Sequence, residues 1–385
     1  RSRRAERRAG HRQRTAFAAN LPMLLLVSTT AIAPAPLYSP TARANLKHAI
    51  FTEPGLPENA KDAPRWKFRA TGLLFGAIKR TPLYNKIKAN AFTKMREATE
   101  STGVDWDAVV ASYEDVCDEK TLASIIAEAG PSFATPEYYE RPFHAYDEGN
   151  LCWEHALHQP LVSRAVGARN LPGMDPTLGD DNFRGAFERE LRDMLPADAR
   201  CRRSGAALLD LGCGTGISTR RLLATFPAAR SCVGVDLSPH MVAVGREVLK
   251  REGADDPRLA LRLGDAAATG LADASVDLAC LSLTMHELPA AATDEILAEA
   301  GRVLRPGGHL AIFEMDPSSP GFGRIRSNPF VFAALRSTEP YLDEYFWSVA
   351  PTLEERINAA GLEIAAPKRV IESNKHQVVL AQKAD

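Results

Sequence analysis

The chain has 385 residues, 45% of them apolar and 25% charged, with a formal net charge of −1. This is globular composition, long enough for two or three segments around a sizeable core. Residues 1–44 hold eight arginines and one glutamate, so the remainder carries about −8; nucleic acid is excluded as a partner, because its phosphate backbone calls for a basic surface. The six cysteines and nine histidines show neither paired nor helical ligand spacing, so neither a metal nor a disulfide framework is expected.

Seven arginines and one acid, Glu6, occupy the first fourteen positions, and an uncharged stretch then runs from Thr15 to Ala42. Its apolar centre, Leu21 to Val27, is short, Pro34 and Pro36 follow, and Ala42-Arg43-Ala44 is a small-residue cleavage pattern. Such a segment reads as a translocation signal rather than a membrane span, and its arginine-rich, acid-poor start also suits an organellar transit peptide. The expectation is a cleaved leader, residues 1–44, directing the protein to the chloroplast, to the thylakoid lumen or thylakoid membrane surface. A basic tail beside a membrane-anchoring helix is the alternative.

Residues 45–135 read as a helical extension. Trp66, Phe68, Leu73, Leu74, Phe75 and Ile78 give apolar spacing among Arg65, Lys67, Arg69, Lys79 and Arg80. This pattern suits either peripheral contact with an anionic membrane or a core stripe with a solvated face. From Pro136 the chain turns aromatic, with Tyr138, Tyr139, Phe143, Tyr146 and Trp153, read either as a lid or as ordinary packing.

Beyond residue 200 strands and helices alternate. Ala206 to Leu209 is a buried strand, Asp210-Leu211-Gly212-Cys213-Gly214-Thr215-Gly216 a loop almost without side chains, and Ser218 to Phe226 a helix. Such a loop lets backbone approach a nucleotide-like ligand. Ser231 to Val235 is the second strand and ends in Asp236, placed to accept from both ribose hydroxyls. Leu259 to Leu263 leads into Gly264-Asp265-Ala266, where a carboxylate can meet an adenine amino group. Val276 to Leu281 is a fourth strand, Glu295 to Leu304 a helix, Arg305 to Gly308 a turn, and His309 to Phe313 a fifth strand ending at Glu314. The alternation predicts a doubly wound, mostly parallel α/β sheet with ligands at the carboxyl ends of its strands. A dehydrogenase on the same architecture would space its third glycine one residue later and rarely carry an acid at position 210.

Asp210 to Gly216, Asp236, Gly264 to Ala266 and Arg302 to Gly308 resemble the ordered motifs of class I S-adenosylmethionine-dependent methyltransferases, over roughly residues 200–385. Within that family the nearest likeness is to the ubiquinone/menaquinone C-methyltransferase group of plant and algal plastids, through the Arg302–Gly308 turn and Glu314, although its amino-terminal signature is missing. The resemblance implies a seven-stranded Rossmann-like sheet over residues 136–385, closing in an antiparallel pair, Leu362 to Ile364 and Gln377 to Ala381. It implies S-adenosyl-L-methionine as cofactor, with its methionine part over Gly212, Cys213, Gly214 and Gly216, its ammonium drawn to Asp210, its ribose at Asp236 and Leu237, and its adenine at Asp265 and Ala266.

Methyl transfer from a sulfonium needs an aligned nucleophile, exclusion of water and, for a hydroxyl or carbon acid, removal of a proton. His286 and Glu287, just past strand four, stand where the sheet would meet the methyl group. Neutral imidazole is a suitable base, and packing against the cofactor or capping the next helix is the plainer role. Glu314 and Asp316 are further candidates. Residues 317–351 form an insertion rich in Phe and Tyr, read either as a lid over an apolar aromatic or prenylated small molecule or as a small accessory core. Two functions remain open: a plastid methyltransferase, or a non-catalytic module of this fold that binds the cofactor or its product.

Overall fold

A computed structural model describes residues 78, 81–144, 146–171, 174–252 and 256–384. The predicted leader and the stretch from Trp66 to Leu74 lie outside the described residues. Among the described residues five α-helices precede the sheet: α1 (Pro82–Glu100), α2 (Trp106–Tyr113), α3 (Glu119–Ala129), α4 (Trp153–Asn170) and α5 (Gly179–Met194). Their starts follow local chemistry. Pro82 opens α1, where its missing N–H costs nothing, and the Asp105 and Asp118 carboxylates accept from Ala108 N at 3.0 Å and Thr121 N at 2.6 Å to begin α2 and α3. No helix among the described residues is long and apolar enough to cross a membrane.

The sheet is built from β1 (Ala207–Leu211), β2 (Ser231–Asp236), β3 (Leu259–Leu263), β4 (Val276–Ser282), β5 (Leu304–Met315), β6 (Leu362–Val370) and β7 (His376–Lys383). Helices α6 (Ile217–Thr225), α7 (Pro239–Arg251), α8 (Ala290–Val303), α9 (Pro320–Ser327), α10 (Pro329–Thr338) and α11 (Leu353–Ala359) alternate with them. The strand order is β3-β2-β1-β4-β5-β7-β6. Six strands run in one direction, and β7 alone inserts antiparallel, between β5 and β6. A dinucleotide-binding sheet of order 3-2-1-4-5-6 has no such reversed strand, so the topology separates the two architectures weighed from the sequence.

The central strands are covered on both faces, which is why they read as unbroken apolar runs. Side chains alternate by strand parity. Leu209, Leu211, Ala279, Leu281, Leu310 and Ile312 pack with α8 and the 317–351 insertion. Leu208, Cys232, Leu278, Cys280, Ala311 and Phe313 pack with α5 and α6, where Phe187 stacks on Phe313 at 4.9 Å.

Two elements depart from expectation. The predicted turn Arg305 to Gly308 is a bulge inside β5: Val276 pairs with Leu304, the register slips, and pairing resumes at Leu278 with His309, Gly307 taking φ of 71°. The helix before it starts at Ala290, five residues earlier than the apolar pattern suggested. In the insertion, Phe332, Tyr345 and Phe346 are buried in the same core cluster as the sheet residues Leu209, Leu281 and Ile312, while Phe322, Ile325, Val331 and Leu335 line a cavity. The extension also joins that cavity. Thr99 Oγ1 donates to Leu161 O at 3.0 Å and Arg169 Nη2 to Lys94 O at 3.0 Å, docking α1 on α4, with Lys88, Phe92 and Met95 in the cavity wall.

Candidate functional site

A cavity of about 1070 Å³ opens at the carboxyl ends of the parallel strands. Its floor is the loop between β1 and α6, where Gly212, Gly214 and Gly216 all take positive φ, at 73°, 53° and 80°. A Cβ on Gly212 would lie 2.5 Å from Thr284 Cγ2, and one on Gly214 2.7 Å from Gln159 Nε2, so both conformation and contact demand glycine. Cys213 is buried beside Gly234, whose missing side chain leaves room for its Sγ.

Asp236 closes β2 under this loop. Its Oδ2 accepts from Gly214 N at 2.7 Å; its Oδ1 accepts from Ser238 N at 2.9 Å and from the Tyr139 hydroxyl at 3.1 Å. Burial raises its pKa above the usual range, opposed by those hydrogen bonds. A carboxylate offers about four acceptor positions, so three contacts leave room for one ribose hydroxyl, and the second expected from the sequence must displace Tyr139 or share with it. Leu237, Asp265 and Ala266 line the adjoining wall, with Asp265 Oδ1 accepting from Ala267 N at 2.8 Å.

Asp210 departs from its expected place. Strand parity turns it to the Leu208 face, where its Oδ2 accepts from the Ser218 and Thr219 hydroxyls, each at 2.7 Å, and Oδ1 has no hydrogen-bond partner among the described residues. Fully buried and outside the cavity wall, it braces the start of α6 from beneath, and the picture of a carboxylate exposed to the ligand's ammonium does not hold here.

The catalytic candidates do converge. His286 and Glu287 sit in a single helical turn, Met285–Glu287, after β4, and both line the cavity. His286 Nδ1 lies 2.8 Å from Glu314 Oε1, and its backbone N–H donates to Glu314 Oε2 at 3.3 Å. Burial alone would lower the imidazole pKa, but the Glu314 carboxylate more than offsets this and raises it to about 9. The direction of this shift favours the imidazolium over the neutral base expected from the sequence. Glu314 is fully buried behind it, off the cavity wall, so it positions rather than touches a substrate. Asp316 is tied to Lys368 at 3.1 Å and takes no part.

Glu287 Oε1 lies 3.9 Å from His286 Nε2, and Asn150 Nδ2 donates to its Oε2 at 3.4 Å. Burial raises its pKa to about 7, with His144 and His286 opposing and Glu339 adding to the shift. His144, at φ of 49° with its backbone N–H donating to Thr338 O at 3.0 Å, places Nε2 3.0 Å from Glu339 Oε1. His144, His286 and Glu287 bring ligand-type atoms within 4.8 Å of one another, a grouping able to hold a cation that the sequence spacing gave no reason to expect. Both imidazoles already carry carboxylate partners, so the cluster balances its own charge. Asn150 and Glu339 were not foreseen; Tyr139 and His144 lie in the run after Pro136. Tyr146 of the same run also lines the cavity, stacked on His155 at 4.4 Å with its hydroxyl 2.8 Å from His158 Nδ1.

Residues 208–308 match the family model described as a methyltransferase domain. Over 177 residues the chain is 39% identical to a malonyl-[acyl-carrier protein] O-methyltransferase of Methylococcus capsulatus, covering 46% of this chain and 59% of that one. It is 36% identical over 135 residues to a ubiquinone/menaquinone biosynthesis C-methyltransferase of Dinoroseobacter shibae, covering 35% and 52%. It is also 36% identical over 158 residues to a trans-aconitate 2-methyltransferase of Azoarcus sp., covering 41% and 55%. The crystal structure of a SAM dependent methyltransferase from Aquifex aeolicus aligns with 51% of the chain and 88% of its own, at 20% identity and a TM-score of 0.38. The chain thus spans little more than half the length of these curated relatives.

The residues present fit S-adenosylmethionine. The loop is bare backbone where a Cβ would collide, Asp236 keeps an open acceptor position, and the wall beyond it combines apolar Leu237 and Ala266 with the acceptor Asp265. Over residues 208–308 the chain is similar to methyltransferase domains, and the sheet order and glycine loop accord with that likeness.

Proposed function

We propose that the chain is a methyltransferase acting on oxygen or carbon of a small apolar aromatic or prenylated compound, in a plastid. The carrying observation is Glu287, a cavity-facing carboxylate with a pKa near 7, beside Thr284, which touches the glycine loop. When bound, S-adenosylmethionine supplies an activated methyl group on a sulfonium. The chain's own work is to hold it, align an acceptor and take the acceptor's proton. Glu287 in its ionised form accepts that proton, the His286–Glu314 pair fixes the turn that carries it, and Phe322, Ile325, Val331 and Leu335 keep water from the acceptor. The names of the relatives span both O- and C-methyl transfer. The leader composition supports the plastid, and peripheral membrane contact of the basic stretch 65–80 belongs to the same proposal.

Calorimetry with S-adenosylhomocysteine tests the reading. Asp236→Ala removes a charge-assisted acceptor from both the loop and the ribose, so affinity is expected to fall by about 1.5–3 kcal/mol. Equal affinity, or binding of NADH in place of S-adenosylhomocysteine, would sink it. Labelled S-adenosylmethionine incubated with a plastid small-molecule extract should then yield a labelled product.

A further inference from the structure

Two basic side chains in the cavity wall have no carboxylate partner among the described residues. Lys375, in the turn from β6 to β7, is 7% exposed and lines the cavity. Its Nζ donates to a neutral amide oxygen, Asn170 Oδ1, at 2.8 Å, and no carboxylate among the described residues lies within ion-pair distance. Burial, with Arg324 adding to it, lowers its pKa to about 8. Arg169, beside Asn170 at the end of α4, is likewise in the wall; Nη2 is held by Lys94 O, while Nη1 is buried with no hydrogen-bond partner among the described residues. Glu97 acts on Arg169 only from beyond contact. Arg184 and Lys88, the other basic residues in the wall, differ because Asp180 and Asp147 neutralise them, each at 3.1 Å.

A buried ammonium and a guanidinium with an idle donor, sharing one wall, cost stability unless an anion completes them. We propose that Lys375 and Arg169 form an anion-binding subsite for a carboxylate or phosphate on the methyl acceptor. This rests on the methyltransferase reading and sharpens its substrate class: an apolar body with one anionic end. The antiparallel entry of β7 places the subsite beside the reacting centre. His376 pairs with Met315, the residue after Glu314, so Lys375 lies near the end of β5. An acceptor held there by its anion turns its other end toward Glu287.

The test uses benzoate, phenyl phosphate and neutral benzamide as probes, titrated into protein saturated with S-adenosylhomocysteine. Benzoate or phenyl phosphate should bind at least about tenfold more tightly than benzamide, as charge-assisted hydrogen bonds imply, and whichever anion binds names the group. Lys375→Met should abolish that preference, Lys375→Arg should retain it, and Arg169→Gln, which spares Lys375, should weaken it even if Lys375→Met fails to fold. An unchanged preference in the folded Lys375→Met and Arg169→Gln variants, or none in the wild type, overturns the subsite. Absence of S-adenosylhomocysteine binding in the wild type would instead overturn the methyltransferase reading.

Discussion

Replacing Gly212 by alanine probes the floor of the cavity in two separable ways. At φ of 73° a residue with a Cβ costs about 1–2 kcal/mol in the left-handed region. The new methyl would also sit 2.5 Å from Thr284 Cγ2 and 3.0 Å from its Oγ1, an overpacking cost of about 1–3 kcal/mol. Gly212→Ala should therefore destabilise the protein by about 2–5 kcal/mol in urea unfolding without cofactor. Thr284→Ser deletes Cγ2, the nearest atom, and leaves the hydroxyl, which donates weakly to Gly212 O at 3.4 Å. The double variant should recover most of the steric share and none of the conformational share, a coupling that a double-mutant cycle reads directly. A single variant within 0.5 kcal/mol of wild type, on the order of an ordinary surface change, would refute the reasoning. A double variant no better than the single would show that Thr284 is not the wall described.

Glu287→Gln should lower turnover by ~10²–10⁴ with cofactor affinity unchanged. Wild-type turnover should rise with pH through about 7 as Glu287 ionises; a flat profile or a fully active variant would remove Glu287 from the chemistry. His286 sets the opposite trend in stability. Its pKa is about 9 in the folded protein against an ordinary 6.5, so its contribution is fully present below pH 6.5 and lost as pH rises through 9, on the order of 3 kcal/mol by linkage. Urea titrations at a series of pH values should show that loss in wild type and not in Glu314→Gln, and parallel curves would contradict the pairing.

The sheet was legible because strands covered on both faces leave unbroken apolar runs, and because glycine and an acid at strand ends are local signals. The parity of Asp210 was legible in principle, two residues after Leu208, but the family likeness drew attention to its charge rather than its direction. His286 and Glu287 could be placed from their position just past β4. Their electrostatics could not: the raised imidazole pKa comes from Glu314 on a neighbouring strand, and that of Glu287 from burial beneath segments carrying His144, Asn150 and Glu339. Lys375 and Arg169 were silent for the same reason, since a lone basic residue in a turn or at a helix end reads as solvated until the fold encloses it.

The reversed strand has a consequence for assembly. β6 hydrogen-bonds to the sheet only through β7, which itself must enter between β6 and β5. The edge of the sheet therefore closes with residues 376–383, and Lys375 and the wall near Met315 are set in the same event. On a growing chain, the glycine loop and first four strands can form while the Lys375 side of the cavity, the proposed acceptor subsite, is still unmade. Competence to select an acceptor would then arrive later than competence to hold the methyl donor, separated by the synthesis of some hundred residues and by the slow pairing of strands distant in sequence.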